Sequence, residues 1–280
     1  MPDGPVIVIG GAEDKVRDRV ILSRFVIEAG GPEARIVVIS TASSLGHLAG
    51  ERYQQIFGGL GVRRAVRPIH PTNRTEANDS AFVRPLKDAT GVFLTGGNQL
   101  RLSAIIGGTK LAEVLLDRHR AGAVVAGTSA GASAMSSHMI AFGASGGTPK
   151  HRMASMAAGL GLLPSVIIDQ HFQQRNRLGR LLSIIAQNPS LLGLGFDEDT
   201  AGVVTSDGIL EVIGRGSVTI VDGAAAETDA WEIHGHRPLM ISGVVLHSLP
   251  AGYRFDLRRH ARVKTPNLVA LQGGEAAAST

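Results

Sequence analysis

Short, continuous apolar segments, each ended by glycine or a small polar residue, constrain the fold of this chain more than any other feature. They occupy residues 6–9, 36–39, 92–94, 123–126 and 166–168. Continuous hydrophobicity, in place of alternation, is typical of strands that are buried on both faces of a parallel sheet. Helix-like stretches with apolar residues close to a 3.6-residue period separate them, at 14–28, 47–60 and 100–119, the last interrupted by Gly107-Gly108. This alternation predicts an α/β fold with a mostly parallel sheet and helices on both faces.

The hydrophobic pattern of the sequence changes after about residue 200. Short apolar runs at 202–204, 208–212 and 217–221 are joined by Gly or Asp-Gly, which is typical of antiparallel hairpins. We therefore expect an antiparallel C-terminal extension of the sheet. The chain has no linker-like segment and no internal repeat, so residues 1–280 are predicted to form a single domain, with a frayed tail at 273–280.

Composition excludes several classes of function. The chain contains no cysteine, which removes disulfides, cysteine nucleophiles and thiolate metal sites, and no His/Asp/Glu spacing suggests another metal site. A net charge of +4 and a pI near 9.8 invite a nucleic-acid partner, but aromatic residues are only 4% of the chain and its cations are mixed with acids. We therefore expect neither nucleic acid nor a cofactor as a partner, although a basic polyanion binder stays an alternative.

The N-terminus lacks a signal-peptide pattern and no apolar run is long enough to span a membrane, which predicts a cytoplasmic protein without a membrane partner.

The segment Gly127-Thr128-Ser129-Ala130-Gly131 fits the pattern G-x-S-x-G and directly follows the apolar run at 123–126. A helix-compatible stretch, residues 130–138, comes next. Strand, sharp turn and helix are the context that a nucleophile elbow requires, because the turn lifts the serine hydroxyl out of the sheet edge. The alternative is a glycine-rich turn whose serine caps a helix.

A serine nucleophile needs a base and an acid that orients the base. Among the ten histidines, His171 is favoured because it follows the run at 166–168, so that it should lie at the same sheet edge as Ser129. Three adjacent carboxylates, residues 197–199, follow another predicted strand at 191–196, and the pattern alone leaves open which of them reaches His171. The order serine, histidine, acid differs from the order in α/β-hydrolases, which argues against an ordinary esterase.

Other polar and glycine-rich turns fall at the same predicted edge. Gly97 precedes a helix, and its amide together with that of Ala130 is predicted to form an oxyanion hole; the alternative at residues 96–99 is a simple tight turn. Three arginines shortly after His171, at the predicted start of a helix, suit carboxylate recognition, although such a cluster is often a solvated face. Residues 10–15 lack the glycine spacing of a nucleotide-binding loop, and we exclude nucleotide binding there.

Five motifs in this order resemble those of the cyanophycinases, serine peptidases related to α-aspartyl dipeptidase, and the resemblance spans about residues 4–223. The motifs are Gly10-Gly11-Ala12-Glu13-Asp14-Lys15, Thr95-Gly96-Gly97-Asn98-Gln99-Leu100-Arg101-Leu102, Gly127-Thr128-Ser129-Ala130-Gly131, Asp169-Gln170-His171-Phe172 with Arg175-Asn176-Arg177, and Gly193-Leu194-Gly195-Phe196-Asp197-Glu198-Asp199-Thr200.

The resemblance implies a fold like that of class I glutamine amidotransferases and a homodimer. It implies a serine-type exopeptidase that hydrolyses cyanophycin, a poly-aspartate backbone carrying arginine on its β-carboxyls, to β-aspartyl-arginine dipeptides. By motif, Ser129 is the nucleophile, His171 the base and Glu198 the orienting acid. The implied substrate-pocket residues are Gln99, Asp169, Gln170, Arg175, Arg177 and Arg180.

One position departs from the resemblance, because Asn98 stands where an acidic residue is common in the family. This weakens the case for a guanidinium contact at residue 98 but touches none of the three implied catalytic residues. The open alternatives are an α-aspartyl dipeptidase-like enzyme that acts on Asp-X peptides, a polyanion binder that has kept the fold, and an inactive paralogue.

Overall fold

The computed structural model of the chain describes residues 3–264. Its α-helices are α1 (Val20–Glu28), α2 (His47–Gly59), α3 (Arg74–Asn78), α4 (Ser80–Val83), α5 (Gln99–Ile106), α6 (Lys110–Arg120), α7 (Ala130–Ser133) and α8 (Leu178–Gln187). Its strands are β1 (Val6–Ile9), β2 (Ile36–Ile39), β3 (Arg67–Ile69), β4 (Gly91–Leu94), β5 (Val124–Thr128), β6 (His138–Gly143), β7 (Ala154–Ala158), β8 (Val166–Gln170), β9 (Leu192–Phe196), β10 (Thr200–Val204), β11 (Ile209–Gly214), β12 (Ser217–Asp222), β13 (Glu227–Thr228), β14 (Ile241–Ser242), β15 (Val245–Pro250), β16 (Arg254–Asp256) and β17 (Ala261–Arg262). Two short 3-10 helices lie at Gly31–Glu33 and Arg84–Leu86.

A nine-stranded sheet forms the centre of the fold, in the order β17-β16-β11-β10-β1-β5-β4-β2-β3. Five neighbouring strands of this sheet are parallel to one another, in the order β1, β5, β4, β2 and β3. β10 pairs antiparallel with β1 and opens an antiparallel half that continues through β11, β16 and β17. The prediction of an α/β fold whose parallel sheet continues into antiparallel C-terminal strands is confirmed.

Helices cover both faces of the parallel half. Ile7 points to one face and packs in a cluster with Phe25 of α1, while its neighbour Val8 points to the other face and shares a cluster with Leu102 of α5. All four side chains are fully buried. Burial of an aliphatic or phenyl side chain of this size contributes about 1.5–3 kcal/mol, which is why the strand sequences are continuously apolar.

A second sheet, in the order β15-β12-β9-β8, corrects two sequence predictions. The runs at 166–168 and 191–196 form β8 and β9, which are parallel to each other but do not join the central sheet. β12 pairs with β9 and β15, and not in a hairpin with β11 as its position in the chain suggested. Local hydrophobicity identifies a strand, whereas its partners depend on contacts between distant segments.

The turn after β1 joins the two sheets at their carboxyl ends. The amide of His171, just past β8, donates to the carbonyl oxygen of Gly10 at 2.8 Å. The amide of Asp199, in the segment after β9, donates to the carbonyl oxygen of Gly11 at 2.9 Å. These bonds bring the residues that follow β8 and β9 to the carboxyl end of β1, whose parallel neighbour is β5.

Two element boundaries differ from the sequence predictions. α1 begins at Val20 and not at Asp14, because the Asp14 carboxylate accepts backbone amides of the following residues and holds them in a loop. The helix after Ser129 ends at Ser133, so that 134–138 is not helical. The predicted frayed tail at 273–280 lies outside the described residues. Among residues 3–264, no helix combines the length and the apolar character that crossing a bilayer requires.

Candidate active site

Ser129 lies in a strained turn between β5 and α7. Its backbone has φ 53° and ψ −111°, a region that residues other than glycine rarely adopt and that is typical of a nucleophile elbow. Close packing explains the flanking glycines: a Cβ on Gly127 would lie 2.6 Å from the Gly131 backbone, and one on Gly131 would lie 2.4 Å from the Leu94 carbonyl oxygen. The turn therefore presents the serine on a rigid support with no room for larger neighbours.

Ser129, His171 and Glu198 form one hydrogen-bonded series. The Ser129 Oγ lies 2.9 Å from His171 Nε2, and His171 Nδ1 lies 2.6 Å from Glu198 Oε1. An ionised carboxylate only accepts hydrogen bonds, so Nδ1 carries the ring proton and donates it to Glu198. Nε2 is then the free acceptor, and the serine hydroxyl donates to it.

Gly11 makes room for the His171 ring. A Cβ built on Gly11 would lie 2.4 Å from Cε1 and 2.6 Å from Nε2 of His171, well inside van der Waals contact, and Gly11 has a positive φ of 101°. His171 itself is buried and adopts a left-handed backbone with φ 50°. The turn after β1 therefore fixes both the backbone and the ring of His171.

The pKa of His171 is lowered from its ordinary value of 6.5. Burial is the largest cause, since it disfavours the charged imidazolium, and the positive charges of Arg175 and Arg177 act in the same direction. The hydrogen bond to Glu198 opposes the shift without cancelling it. The ring is therefore neutral at neutral pH, which leaves Nε2 able to accept a proton.

The three adjacent carboxylates after β9 have three different partners. Asp197 is buried, and its carboxylate accepts the amide and hydroxyl of Ser217 at 3.1 and 3.0 Å. Asp199 accepts the amide of Asp14 at 2.8 Å. Glu198 lies between them and is the one that reaches His171. The structure thus places Glu198, among the three left open by the pattern, beside His171.

The turn that contains Gly97 lies beside Ser129. A Cβ built on its neighbour Gly96 would lie 3.3 Å from the Ser129 Cβ. Ala130 is the first residue of α7, where backbone amides have no helical acceptor. Within residues 3–264, neither the Gly97 amide nor the Ala130 amide donates to a protein acceptor.

Arg177 and Arg180 form a buried cluster with Asp169. Arg180 Nε donates to Asp169 Oδ2 at 2.6 Å, and Arg177 Nη1 donates to Asp169 Oδ1 at 3.3 Å and to Gln170 Oε1 at 2.7 Å. Burial, together with the neighbouring cations, lowers the pKa of Arg177 to about 10. Two guanidinium groups thus share one carboxylate, which leaves the buried cluster with an excess positive charge.

This arrangement corrects two expectations. α8 begins at Leu178, so that Arg175 and Arg177 lie in the preceding turn and not at the start of a helix. Arg177 and Arg180 are buried, which excludes the alternative of a solvated face for these two. Asp169 is fully buried beneath the guanidinium groups and is not open to direct contact with a substrate. The Asp169 carboxylate instead holds the guanidinium groups of Arg177 and Arg180 in position.

Gln99, Arg175 and Asn98 complete the set of predicted positions. Gln99 opens α5 and its amide nitrogen donates to the carbonyl oxygens of Ile140 and Ala141, at 3.0 and 2.8 Å, which ties α5 to β6. Arg175 is exposed. Asn98 caps α5 by accepting the Arg101 amide at 3.1 Å, so the residue that departs from the resemblance has a structural role.

Sequence reasoning missed two supports of the site. Gly11 was considered as part of a rejected nucleotide loop and of a family motif, with no role of its own, and Gln174, whose side-chain oxygen accepts the Glu198 amide at 3.0 Å, was not considered. The signal for Gly11 was present, because the segment after β1 ends at the same sheet edge as Ser129. Gln174 has no such signal, since it lies in an exposed turn. Within residues 3–264, no cluster of histidine, aspartate and glutamate side chains is arranged to bind a metal ion.

An α/β fold that carries a strained serine, a histidine and a carboxylate in hydrogen-bonded series has the arrangement of a serine hydrolase. Comparison with known families assigns the chain more narrowly. Residues 6–212 match the family described as "Peptidase family S51", and the chain belongs to this family. It is therefore a peptidase.

Curated relatives support the resemblance to the cyanophycinases. The chain is 46% identical over 254 residues to a cyanophycinase of Nostoc sp., covering 90% of this chain and 85% of the relative. It is 43% identical over 257 residues to the cyanophycinase of Geminocystis herdmanii, covering 91% of this chain and 94% of the relative. The resemblance predicted from the motifs is confirmed.

Two solved structures share the fold. A peptidase from an acI-B1 Actinobacterium superposes with a TM-score of 0.63 at 22% identity, over 91% of this chain and 97% of its own. A putative peptidase E protein from Listeria monocytogenes gives a TM-score of 0.52 at 16% identity, over 75% of this chain and 97% of its own. At these identities the likeness concerns the fold alone.

Proposed function

We propose that this peptidase is a serine-type exopeptidase that hydrolyses cyanophycin to β-aspartyl-arginine dipeptides. The observation that carries the proposal is the series from Ser129 through His171 to Glu198, in a chain whose relatives at 43–46% identity are cyanophycinases. Ser129 acts as the nucleophile, His171 as the general base and Glu198 as the acid that orients the base.

In the first half of the reaction, Ser129 Oγ attacks the carbonyl carbon of a backbone peptide bond while His171 Nε2 takes the hydroxyl proton. Glu198 holds Nδ1–H and stabilises the imidazolium that forms. The negative charge that develops on the carbonyl oxygen is stabilised by the amides of Gly97 and Ala130. Loss of one such donor costs about 3 kcal/mol in the barrier.

In the second half, the carbon–nitrogen bond breaks and His171 gives its proton to the leaving amine. This leaves an ester between Ser129 and the acyl part of the substrate. Water then attacks the ester carbonyl, His171 takes a proton from the water, and the bond to Ser129 Oγ breaks as the hydroxyl regains a proton. One water molecule is consumed for each peptide bond cleaved.

The charges around the site suit a substrate whose units each carry a carboxylate and a guanidinium. The excess positive charge of the Arg177, Arg180 and Asp169 cluster, with Arg175 exposed beside it, favours a substrate carboxylate. The side-chain oxygen of Gln99 accepts no hydrogen bond within residues 3–264 and can accept one from a substrate guanidinium. Gln170, whose amide oxygen accepts from Arg177, is the second amide of the predicted pocket, and Asp169 acts by positioning the arginines.

Incubation with purified cyanophycin tests the substrate directly. We expect release of β-aspartyl-arginine dipeptides, read out by mass spectrometry, and much slower cleavage of Asp-X dipeptides that lack the arginine side chain. Efficient cleavage of Asp-X dipeptides without attack on the polymer would instead assign the chain to the α-aspartyl dipeptidase-like alternative.

The lowered pKa of His171 predicts an acid limb of activity with its midpoint below pH 6.5. His171 must be neutral to accept the serine proton, so kcat/KM rises with pH through the His171 pKa and is level toward neutrality. We would measure kcat/KM from about pH 4.5 to 8 at constant ionic strength, because kcat/KM reports the free enzyme.

The variant Arg175→Gln provides the matched comparison for this pH profile. It removes a positive charge that disfavours the imidazolium, so the midpoint should move to higher pH. A midpoint above 6.5 in the wild type, or a midpoint that Arg175→Gln leaves in place, would contradict the role of burial and charge at His171.

Several broader expectations stay predictions. These are a single domain over residues 1–280, a fold of the class I glutamine amidotransferase type, a homodimer, a cytoplasmic location, and the absence of a nucleic-acid or cofactor partner.

A further inference from the structure

A buried carboxylate that the proposed chemistry does not use lies behind the Ser129 turn. The Glu13 side chain is 1% exposed and belongs to the segment that follows β1. It accepts hydrogen bonds from Thr128 Oγ1 at 2.6 Å and from the Tyr53 hydroxyl, and it pairs with Lys15 Nζ at 2.8 Å. An isolated buried carboxylate is strongly unfavourable, so these three partners make its burial possible.

The contact with Thr128 connects Glu13 to the strained turn. Thr128 is the last residue of β5, is itself buried, and immediately precedes Ser129. The Ser129 amide donates to the carbonyl oxygen of Ile9, at the end of β1, at 3.0 Å. The strand β1 and the segment after it therefore hold Ser129 through its own amide and Thr128 through its hydroxyl.

A residue with a positive φ persists only where its surroundings determine its conformation. The same segment also contacts His171 and the residue next to Glu198. Gly11 packs against the His171 ring, and the Gly11 carbonyl oxygen binds the amide of Asp199, next to Glu198. Glu13 thus holds the serine side of a segment that also contacts His171 and Asp199, the neighbour of Glu198.

The two hydroxyls that donate to Glu13 belong to different elements and bind different oxygens of the carboxylate. Thr128 belongs to β5 and leads into Ser129, whereas Tyr53 belongs to α2 and packs against Phe93 with ring centroids 4.5 Å apart. Burial and the charge of Glu13 raise the pKa of Tyr53 well above its ordinary value of 10.0, so the phenol stays protonated and donates. Loss of either hydroxyl removes one donor from the same carboxylate, but only Thr128 is connected to the serine.

We propose that Glu13 is a positioning residue of the peptidase reaction: through its hydrogen bond to Thr128 it holds Ser129 in the strained conformation from which the hydroxyl reaches His171 and the substrate. The proposal rests on the proposed function of Ser129 as the nucleophile. Misplacement of a reacting group by about 1 Å is enough to lower a rate about a hundredfold, so the effect should appear in kcat.

The matched pair Thr128→Val and Tyr53→Phe tests the proposal. Thr128→Val should lower kcat, and the rate at which a fluorophosphonate probe labels Ser129, by about ten- to a hundredfold with little change in KM. Tyr53→Phe should leave both rates within about threefold of wild type, whatever stability it loses. Thr128→Ser, which keeps the hydroxyl, should restore both rates, and Glu13→Gln should resemble Thr128→Val.

Urea unfolding of each variant separates positioning from folding, and the Thr128 and Tyr53 pair keeps the test available if Glu13→Gln does not fold. Wild-type rates in Thr128→Val would overturn the proposal, as would equal rate losses in Thr128→Val and Tyr53→Phe that follow their lost stability. A wild-type enzyme that cleaves peptides but is not labelled at Ser129 would overturn the proposed function itself, which is a distinguishable result.

Discussion

Replacing Ser129 with alanine is expected to lower kcat/KM by about ten-thousand-fold or more. The variant removes the atom that forms the covalent intermediate, and only the binding groups and the amides of Gly97 and Ala130 continue to act on the substrate. The measurement is the initial rate of dipeptide release from cyanophycin, compared with wild type at equal enzyme concentration. An Ser129→Ala enzyme that cleaves at a rate within tenfold of wild type would refute the proposed mechanism.

Ser129→Gly is the matched control for strain. It should lose activity as completely as Ser129→Ala, because neither variant has the hydroxyl. Glycine adopts the backbone at φ 53° without a steric penalty. Urea unfolding should therefore give Ser129→Gly a free energy of unfolding about 1 kcal/mol higher than that of Ser129→Ala. Equal stability of the two variants would mean that the strain in the turn is no larger than the extra conformational entropy that glycine loses on folding.

Local sequence patterns were sufficient to predict the central strands and the turn at Ser129. Residues 6–9 and 36–39 form β1 and β2 with the predicted bounds, because continuous burial on both faces leaves a signal that does not depend on the rest of the chain. The turn at Ser129 was predictable for a similar reason, since small residues are required locally on both sides.

Pairing between distant segments was not predictable in this way. His171 and Ser129 were expected at one edge of a single sheet, whereas they follow strands of two different sheets that meet through the turn after β1. The contact between them is nevertheless formed, because the end of β1 and the turn after it bind the backbone amides of both residues. The choice of Glu198 among three adjacent carboxylates came from the resemblance and not from the local pattern, which leaves all three open.

Local patterns were also insufficient to predict the burial of the arginines that follow β8. Arg177 and Arg180 were predicted to bind substrate, but the sequence did not predict their burial. This burial depends on Asp169, which lies eight and eleven positions earlier in the chain and supplies their counter-charge. Glu13 is similar, because its partners Tyr53 and Thr128 are 40 and 115 residues away. A buried ionic group is recognisable only when its partners are known.

Replacing Asp169 with alanine is expected to destabilise the protein by about 3–5 kcal/mol, the usual effect of removing one member of a buried ion pair. Two guanidinium groups, 9% and 5% exposed in Arg177 and Arg180, would lose the carboxylate they share and could not be resolvated without opening the structure. Urea unfolding of the purified variant measures the loss as a change in the free energy of unfolding.

The surface pair between Asp117 and Arg120 is the matched control, with a nitrogen–oxygen distance of 2.9 Å and both side chains about two-thirds exposed. Asp117→Ala should change the free energy of unfolding by no more than about 1 kcal/mol, because solvent screens an exposed pair. An Asp169→Ala variant as stable as Asp117→Ala would show that the Arg177 and Arg180 guanidinium groups do not need the Asp169 carboxylate to stay buried. If Asp169 positions the arginines for the substrate, any folded Asp169→Ala enzyme should also have a raised KM for cyanophycin, since the excess positive charge would no longer be held in place.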